Sequence, residues 1–329
     1  MLLYTVRRLL ASVLVLLASS VLVFVLVAST VDPLAPFRTR QPPPPPEFFA
    51  AKRAELGLDK PIFLRYWDWL SGVVTGDFGK NIAGADIGPT LMTRLGVTAR
   101  MVIAAMLLAI VLAIVVGVLT AIRKNKLSDY VATTISYVLI ALPIFWFAVL
   151  LKEFVAIRFN ELVGETILYT ASEESPGISQ YGTGSEIFWD RLAHLVLPTI
   201  ALAGLSFAAW SRFQRASMLD VMNSEYMRFG RAKGVPYRKV LIKHGLRNAL
   251  IPLTTVVAIG VGAIFGGAVI TERVFNWSGM GRYFFEDGLG QQDLNVILGW
   301  LIVSAFFVVL FNLIADLLYA VLDPRIRLS

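Results

Sequence analysis

The sequence predicts an all-α integral membrane protein with six transmembrane helices and an extracytoplasmic region between the first two. Of its 329 residues, 57% are hydrophobic and 16% are charged. A soluble domain averages about 45–50% and about 25%. Mean hydropathy is +0.69. Apolar runs recur along the chain, and at about 1.5 Å per residue each covers a hydrocarbon core of about 30 Å.

The first span, 9–31, follows Arg7 and Arg8 and reads "LLASVLVLLASSVLVFVLVASTV". It exceeds the roughly 7–15 apolar residues of a signal-peptide core, so it is read as an uncleaved anchor. Residues 1–31 therefore form the N-terminal tail and first helix, and 32–95 the extracytoplasmic region. That region carries "QPPPPPE", whose five prolines favour a stiff polyproline II strut. After it, "AKRAELGLDKPIFLRYWDWLSGVVTGDFG" reads as short amphipathic helices with Tyr66, Trp67 and Trp69 near the membrane interface.

Residues 96–329 form a five-helix core with spans at 97–122, 131–157, 192–213, 250–271 and 294–322. Helix breakers fall inside several of them: Pro143, Pro198, and Gly260, Gly262, Gly266 and Gly267. Small residues let neighbouring membrane helices approach, so the glycines are read as packing positions. Lys and Arg in short loops set the orientation. Arg123, Lys124 and Lys126 follow the second span, and "DPRIRLS" ends the chain. By contrast, 158–190 holds six acids and one base, and 272–293 four acids and two bases. Both termini are thus expected in the cytoplasm.

Several chemistries find no residues to carry them. There is no cysteine, and His194 and His244 are too far apart in sequence for a zinc signature. "TGDFGKN" fails as a phosphate loop, because Asn81 follows Gly79-Lys80 and Val74 stands where the first glycine belongs. "NWS" at 276–278 fits a glycosylation triplet, which matters in a eukaryotic secretory setting. No catalytic set assembles and no metal site is expected. Glu153 and Asp316 fall within spans. Pairing with Lys152 or snorkelling is the expectation for the first, and an interhelical hydrogen bond near Asn312 for the second.

The loop 214–249 stands apart. From Arg212 to Arg247 it carries nine Lys or Arg against Asp220 and Glu225. Asn223 or Ser224 can cap a helix starting at Glu225, and Gly234 suits its left-handed end. Pro236 then suits the start of a second helix, "YRKVLIKHGLRNAL", leading into the fifth span. Tyr226, Phe229, Gly230 and Lys233 fall on one side of the first helix. An aromatic-tipped helix with small residues suits a protein groove. Positive-inside charge with headgroup-facing aromatics is the rival, and it leaves the Gly-Ala-Gly spacing unaccounted for. Nucleic acid is excluded as a partner, since stacking platforms are missing.

"EYMRFGRAKGVPYRKVLIKHGLRNALIP" resembles the cytoplasmic loop of the peptide-permease branch of ABC importers, the dipeptide and oligopeptide B-type subunits. "YTVRRLL", "LGLDKPIFLRYWDWLSGVVTGDFG", "ITERVFNWSGMGR" and "NLIADLLYAVLDPRIR" agree with it in order. The resemblance implies a type I ABC importer permease fold in the cytoplasmic (inner) membrane of a bacterium. It places an ATPase-coupling helix on Glu225, Tyr226, Arg228, Phe229, Gly230, Arg231, Ala232, Lys233 and Gly234. Importer permeases in general carry Glu-Ala-Ala where this chain has Arg228, Phe229 and Gly230; peptide permeases also lack that Glu. An outer gate or binding-protein contact is expected at Glu272, Phe275, Trp277, Gly279 and Gly281, although Ser278 stands where the family often has Pro.

The implied partners are a second homologous permease, two ATP-binding subunits, an extracytoplasmic substrate-binding protein, a peptide substrate and membrane lipid. ATP and Mg would be bound by the partner ATPases, with no cofactor on this chain and no enzyme activity of its own. The alternatives are another cargo (a nickel chelate, glutathione or a short saccharide) or a secondary transporter. The last should show duplicated halves and midplane charges, and no convincing repeat is seen.

Overall fold

The computed structural model describes residues 2–322, and regular structure there is helical. The terminal "DPRIRLS", used above for orientation, lies outside the described residues. We number the main helices α1 (Leu2–Thr30), α2 (Pro46–Glu55), α3 (Ile62–Thr75), α4 (Ile87–Ile122), α5 (Leu127–Ala141) and α6 (Ile144–Val163). They continue as α7 (Gly184–Met222), α8 (Glu225–Ala232), α9 (Tyr237–Val240), α10 (Arg247–Val274) and α11 (Leu294–Leu322). Among the described residues five helices are long and apolar enough to cross a membrane, or six spans when the bent pair α5–α6 counts as one.

That pair corrects the third expected span. Residues 131–157 are not one rod, because α5 and α6 meet at 113°. Pro143 is the cause. Its ring disfavours the helical conformation for the residue before it, and Leu142 is extended at φ −83°, ψ 130°. Pro198, also expected to break a helix, lies inside the continuous α7, and Pro252 lies inside α10.

The glycines of α10 serve packing where a large neighbour presses on them. A Cβ at Gly260 would lie 2.7 Å from Trp210 Cζ2, and one at Gly267 would lie 3.0 Å from Ile144 Cδ1; Gly266 faces open space. The same device operates between α4 and α7, where a Cβ on Gly117 would meet Gln214 Cβ at 2.7 Å.

The chain forms two compact units whose division runs through α1, α4 and α11. One contains 9–98 and 278–310. Its core joins Phe24 and Val27 of α1 to Tyr66 of α3 and to Leu294, Ile297 and Leu298 of α11. Tyr66 is buried, and its hydroxyl lies 2.9 Å from Ser20 Oγ; Trp69 packs against Phe24. Of the three aromatics expected at the interface, Trp67 alone is largely exposed, at 53%. Within the proline run, Pro45 has polyproline II geometry at φ −65°, ψ 156°. Pro46 begins α2, where a missing N–H costs nothing.

The other unit contains 99–277 with the helix ends at 2–8 and 311–322. There Arg8 pairs with Asp316 at 3.1 Å, so the acid in the last span makes the expected interhelical contact and ties α11 to α1. Glu153 is exposed and forms no pair with Lys152, which donates weakly to the Val274 carbonyl at 3.5 Å.

Candidate functional site

The basic loop folds into a turn between two helices. α7 ends with Asn223 at its C-terminal cap, at φ −90°, ψ −2°. Ser224 then swings to extended backbone and α8 starts at Glu225. Neither expected side-chain cap forms: Ser224 Oγ donates backward to the Val221 carbonyl at 2.6 Å. Glu225 still suits the helix dipole from the first turn. At the other end Lys233 is the cap residue and Gly234 takes the left-handed conformation, φ +75°. Val235 N–H returns to the Gly230 carbonyl at 3.3 Å and Gly234 N–H to the Arg231 carbonyl at 3.0 Å. Such bonds satisfy carbonyls left open at a helix end.

What fixes α8 is a residue the sequence reading passed over. Met227 is buried with Met218 of α7, Val240 and Leu241 beyond the turn, and Ala121 of α4. Gly245, in the π-helical stretch Leu241–Leu246 between α9 and α10, leaves room for it; a Cβ there would lie 3.4 Å from Met227 Cε. A buried methionine at helical spacing was the available signal. Gly230 belongs to this inner side, since a Cβ on it would meet Val240 Cγ1 at 3.0 Å. It therefore does not share a face with Phe229, contrary to expectation.

The other residues expected to couple lie outward. Phe229 is 67% exposed and Tyr226 41%. Glu225, Arg228, Arg231, Ala232, Lys233 and Gly234 are exposed as well. Arg228 and Glu225 pair at 3.4 Å, both well solvated. Arg231 lies over the Tyr237 ring at 5.7 Å. The helix thus shows two solvent-facing aromatics set among cations, on a base held by Met227. Exposed aromatics on a rigid element are what a protein partner uses as anchors.

A second feature supports this base. Asp129, at the start of α5, is buried and accepts two hydrogen bonds from Arg215 of α7. It also accepts the Asn125 N–H at 3.0 Å, which holds the basic turn after α4.

The residues 272–281 divide between the two units. In the unit that contains 99–277, Glu272 and Phe275 are buried; Phe275 packs with Ala148, Ala156, Leu197 and Ala201, and its carbonyl accepts the Ser172 N–H at 2.9 Å. Trp277 is also buried, its N–H bonded to the Glu272 carbonyl at 2.7 Å. In the unit that contains 278–310, Gly279 precedes a short turn, Met280–Tyr283, that buries Gly281, and Met280 N–H donates to Thr98 Oγ1 at 2.8 Å. In this conformation the side chains of Glu272, Phe275 and Trp277 offer an external protein no surface.

Comparison with known proteins matches residues 113–328 to the family model described as "Binding-protein-dependent transport system inner membrane component". Residues 1–91 match the corresponding N-terminal model. The chain is 40% identical over 326 residues to the oligopeptide transport system permease protein OppB of Mycobacterium tuberculosis, covering 99% of each. It is 36% identical over 328 residues to AppB of Bacillus subtilis, also named an oligopeptide permease, covering 98% of this chain and 99% of that one. The dipeptide transport system permease protein DppB of Escherichia coli K12 is 34% identical over 284 residues, covering 83% and 84%. Among solved structures, an inward-facing MetNI methionine ABC transporter chain aligns with a TM-score of 0.54 at 16% identity. The alignment covers 71% of this chain and 96% of that one, and bears on the fold alone.

Proposed function

The chain belongs to the family of binding-protein-dependent transport system inner membrane components, and from that membership we propose that it is the permease subunit of an ATP-driven importer of di- or oligopeptides. The carrying observation is similarity along nearly the whole chain to permeases named for oligopeptide transport. It favours peptides over a nickel chelate, glutathione or a short saccharide.

On this reading the chain lies in the cytoplasmic membrane of a bacterium with both termini inside. It pairs with a second permease and binds two ATP-hydrolysing subunits, which hold ATP and Mg. An external binding protein delivers the peptide. α8 is the coupling helix: Tyr226 and Phe229 enter a groove of an ATPase, with Arg228, Arg231 and Lys233 around them. Met227 and Gly230 transmit its displacement to Met218, Val240 and the spans they belong to. The exposure of Phe229 beside the burial of Met227 supports this role. The segment 272–281 is the outer gate, its buried side chains forming a plug that rearranges when the permease opens outward.

The test is to purify the chain from its native membrane in mild detergent and identify stoichiometric partners by mass spectrometry. A second permease and ATP-binding subunits are expected, with uptake of labelled peptide lost when the chain is deleted. A chain isolated alone or as a homo-oligomer, even after cross-linking, would overturn the assignment.

A further inference from the structure

α4 and α7 close on each other where Gly117 meets Gln214. Toward their N-terminal ends a groove of about 550 Å³ separates them, within the unit that contains 99–277. Its walls are Ile103, Ala104 and Leu107 of α4 and Phe188, Leu192 and Leu195 of α7. Trp277, almost wholly buried, closes the back. Ile103, Leu107, Phe188 and Leu192 are between 42% and 60% exposed, so the groove is open on one side.

The charged groups lie toward one end. Arg100 precedes Ile103 and Leu107 along α4, and Arg191 precedes Leu192 and Leu195 along α7; both arginines line the groove with Glu173. Arg100 Nη2 donates to Glu173 Oε2 at 3.3 Å, a long bond, and its side chain is 47% exposed. Arg191 is held by Glu174 at 2.9 Å through Nε and by Ser179 at 3.1 Å through Nη2. A guanidinium carries five N–H donors, so each arginine keeps donors for a further acceptor. From Arg100 to Leu107, at about 1.5 Å per residue, the groove passes from a cationic rim to hydrocarbon within about 10 Å.

That rim lies at the edge of the membrane. Arg100 is one turn inside the apolar run 97–122, and Arg191 immediately precedes 192–213. Both fall at headgroup depth, where the exposed aromatics Phe188 and Trp189 beside Arg191 also belong. Snorkelling alone would carry either arginine to the headgroups. It does not account for a concave apolar wall that both arginines share.

The occupant must be anionic at one end and apolar along the rest. A peptide does not match, because Ile103, Ala104, Leu107, Leu192 and Leu195 offer its buried N–H and C=O groups no partner. An alkyl chain has no such groups and gains from each methylene it buries. A phosphate is an acceptor that guanidinium groups are shaped to receive.

We propose that this groove holds one phospholipid of the surrounding bilayer, its phosphate received by Arg100 and Arg191 and an acyl chain lying between α4 and α7. On the orientation proposed above, the lipid comes from the outer leaflet.

The site is tested by native mass spectrometry on the full chain, stripped of loosely held lipid in detergent and titrated with dipalmitoyl phosphatidylglycerol. One molecule should bind saturably. Dipalmitoylglycerol, with the same chains and no phosphate, should bind at least about tenfold more weakly, and Arg100→Gln should weaken the phospholipid by a similar factor. Leu107→Trp leaves the ion pairs in place but fills the groove, and should abolish binding. Val115→Trp, at an exposed position of α4 outside the groove, should not change it. Equal binding of the two lipids overturns the proposal. So do equal losses in Leu107→Trp and Val115→Trp, because either result marks the unselective lipid layer around any span. The occupant in place is read in membranes of the native cell, using phosphatidylglycerol with a diazirine in its acyl chain. Peptides containing 103–107 and 188–195 should be labelled, and Leu107→Trp should remove that label. A groove that stays unlabelled there, as it would beneath another protein chain, overturns the lipid assignment.

Discussion

Arg215 grips Asp129 through two parallel hydrogen bonds, Nε to Oδ1 at 2.7 Å and Nη2 to Oδ2 at 2.8 Å. The carboxylate is 4% exposed and the guanidinium 28%. Removing one partner of a fully buried pair costs about 3–5 kcal/mol, because the other is left charged and unmatched. With Arg215 partly solvated, Asp129→Ala should cost about 2–3 kcal/mol. Arg215→Lys should recover little, since an ammonium cannot match the two-point geometry. Thermal unfolding of the detergent-solubilised protein checks both. A loss from Asp129→Ala no larger than that of a surface substitution would show that the pair does not brace α5 against α7.

At Gly230 two effects oppose each other. Alanine favours a helix over glycine by about 0.5–1 kcal/mol. Its Cβ, however, would sit 3.0 Å from Val240 Cγ1. Gly230→Ala should therefore be nearly neutral, whereas Gly230→Val should cost about 1–3 kcal/mol by overpacking. Pairing Gly230→Val with Val240→Ala should restore most of the loss. A double-mutant cycle on melting temperature measures that coupling, and strict additivity would place Gly230 away from Val240.

Phe229 is the outward counterpart. Exposed at 67%, it contributes little to folding, so Phe229→Ala should leave the melting temperature unchanged. As an anchor in an ATPase groove it should be worth at least about 2 kcal/mol, or roughly thirtyfold in affinity. Co-purification of the ATP-binding subunits with the variant reads this directly. Met227→Ala should show the reverse pattern first, a loss of stability of about 2–5 kcal/mol from an emptied core position.

The spans were legible because a run of about twenty apolar residues is a local property. Their bends were less so. Pro143 and Pro198 look alike in sequence, yet only Pro143 has an extended residue before it. The break comes at Pro143, whose preceding residue is extended, while α7 runs on through Pro198, and the sequence around each does not tell them apart. The cap-turn-proline order around Gly234 was read correctly because its signals lie within a few residues. The orientation of α8 was not, since eight residues give too little periodicity to tell its inner side from its outer. The Arg215–Asp129 grip joins positions 86 residues apart, and nothing local marks either as a partner.

Asp293 carries a pH dependence of definite sign. It is buried at the start of α11, and its carboxylate accepts N–H groups from Ile82 at 2.7 Å, Asn295 at 3.1 Å and Val296 at 3.2 Å. Burial pushes its pKa up, and these bonds pull it back only in part. Asp287 is also pushed up by burial, so this turn takes up protons more readily than free carboxyls do. Tyr283, pushed up to about 12 by burial and then by those two acids, stays neutral throughout. A carboxyl whose folded pKa exceeds its unfolded value, about 3.9, contributes stability that is complete below that value. The contribution is lost as pH rises through the folded pKa. Raising the pH from about 4 should therefore lower the stability of this unit in the wild type, and Asp293→Asn should remove that part of the slope. The same variant places an amide where Ile82 N–H needs an acceptor, so hydrogen exchange at Ile82 should quicken at every pH. A pH slope identical in Asp293→Asn and wild type would mean that Asp293 titrates as a free carboxyl despite its burial.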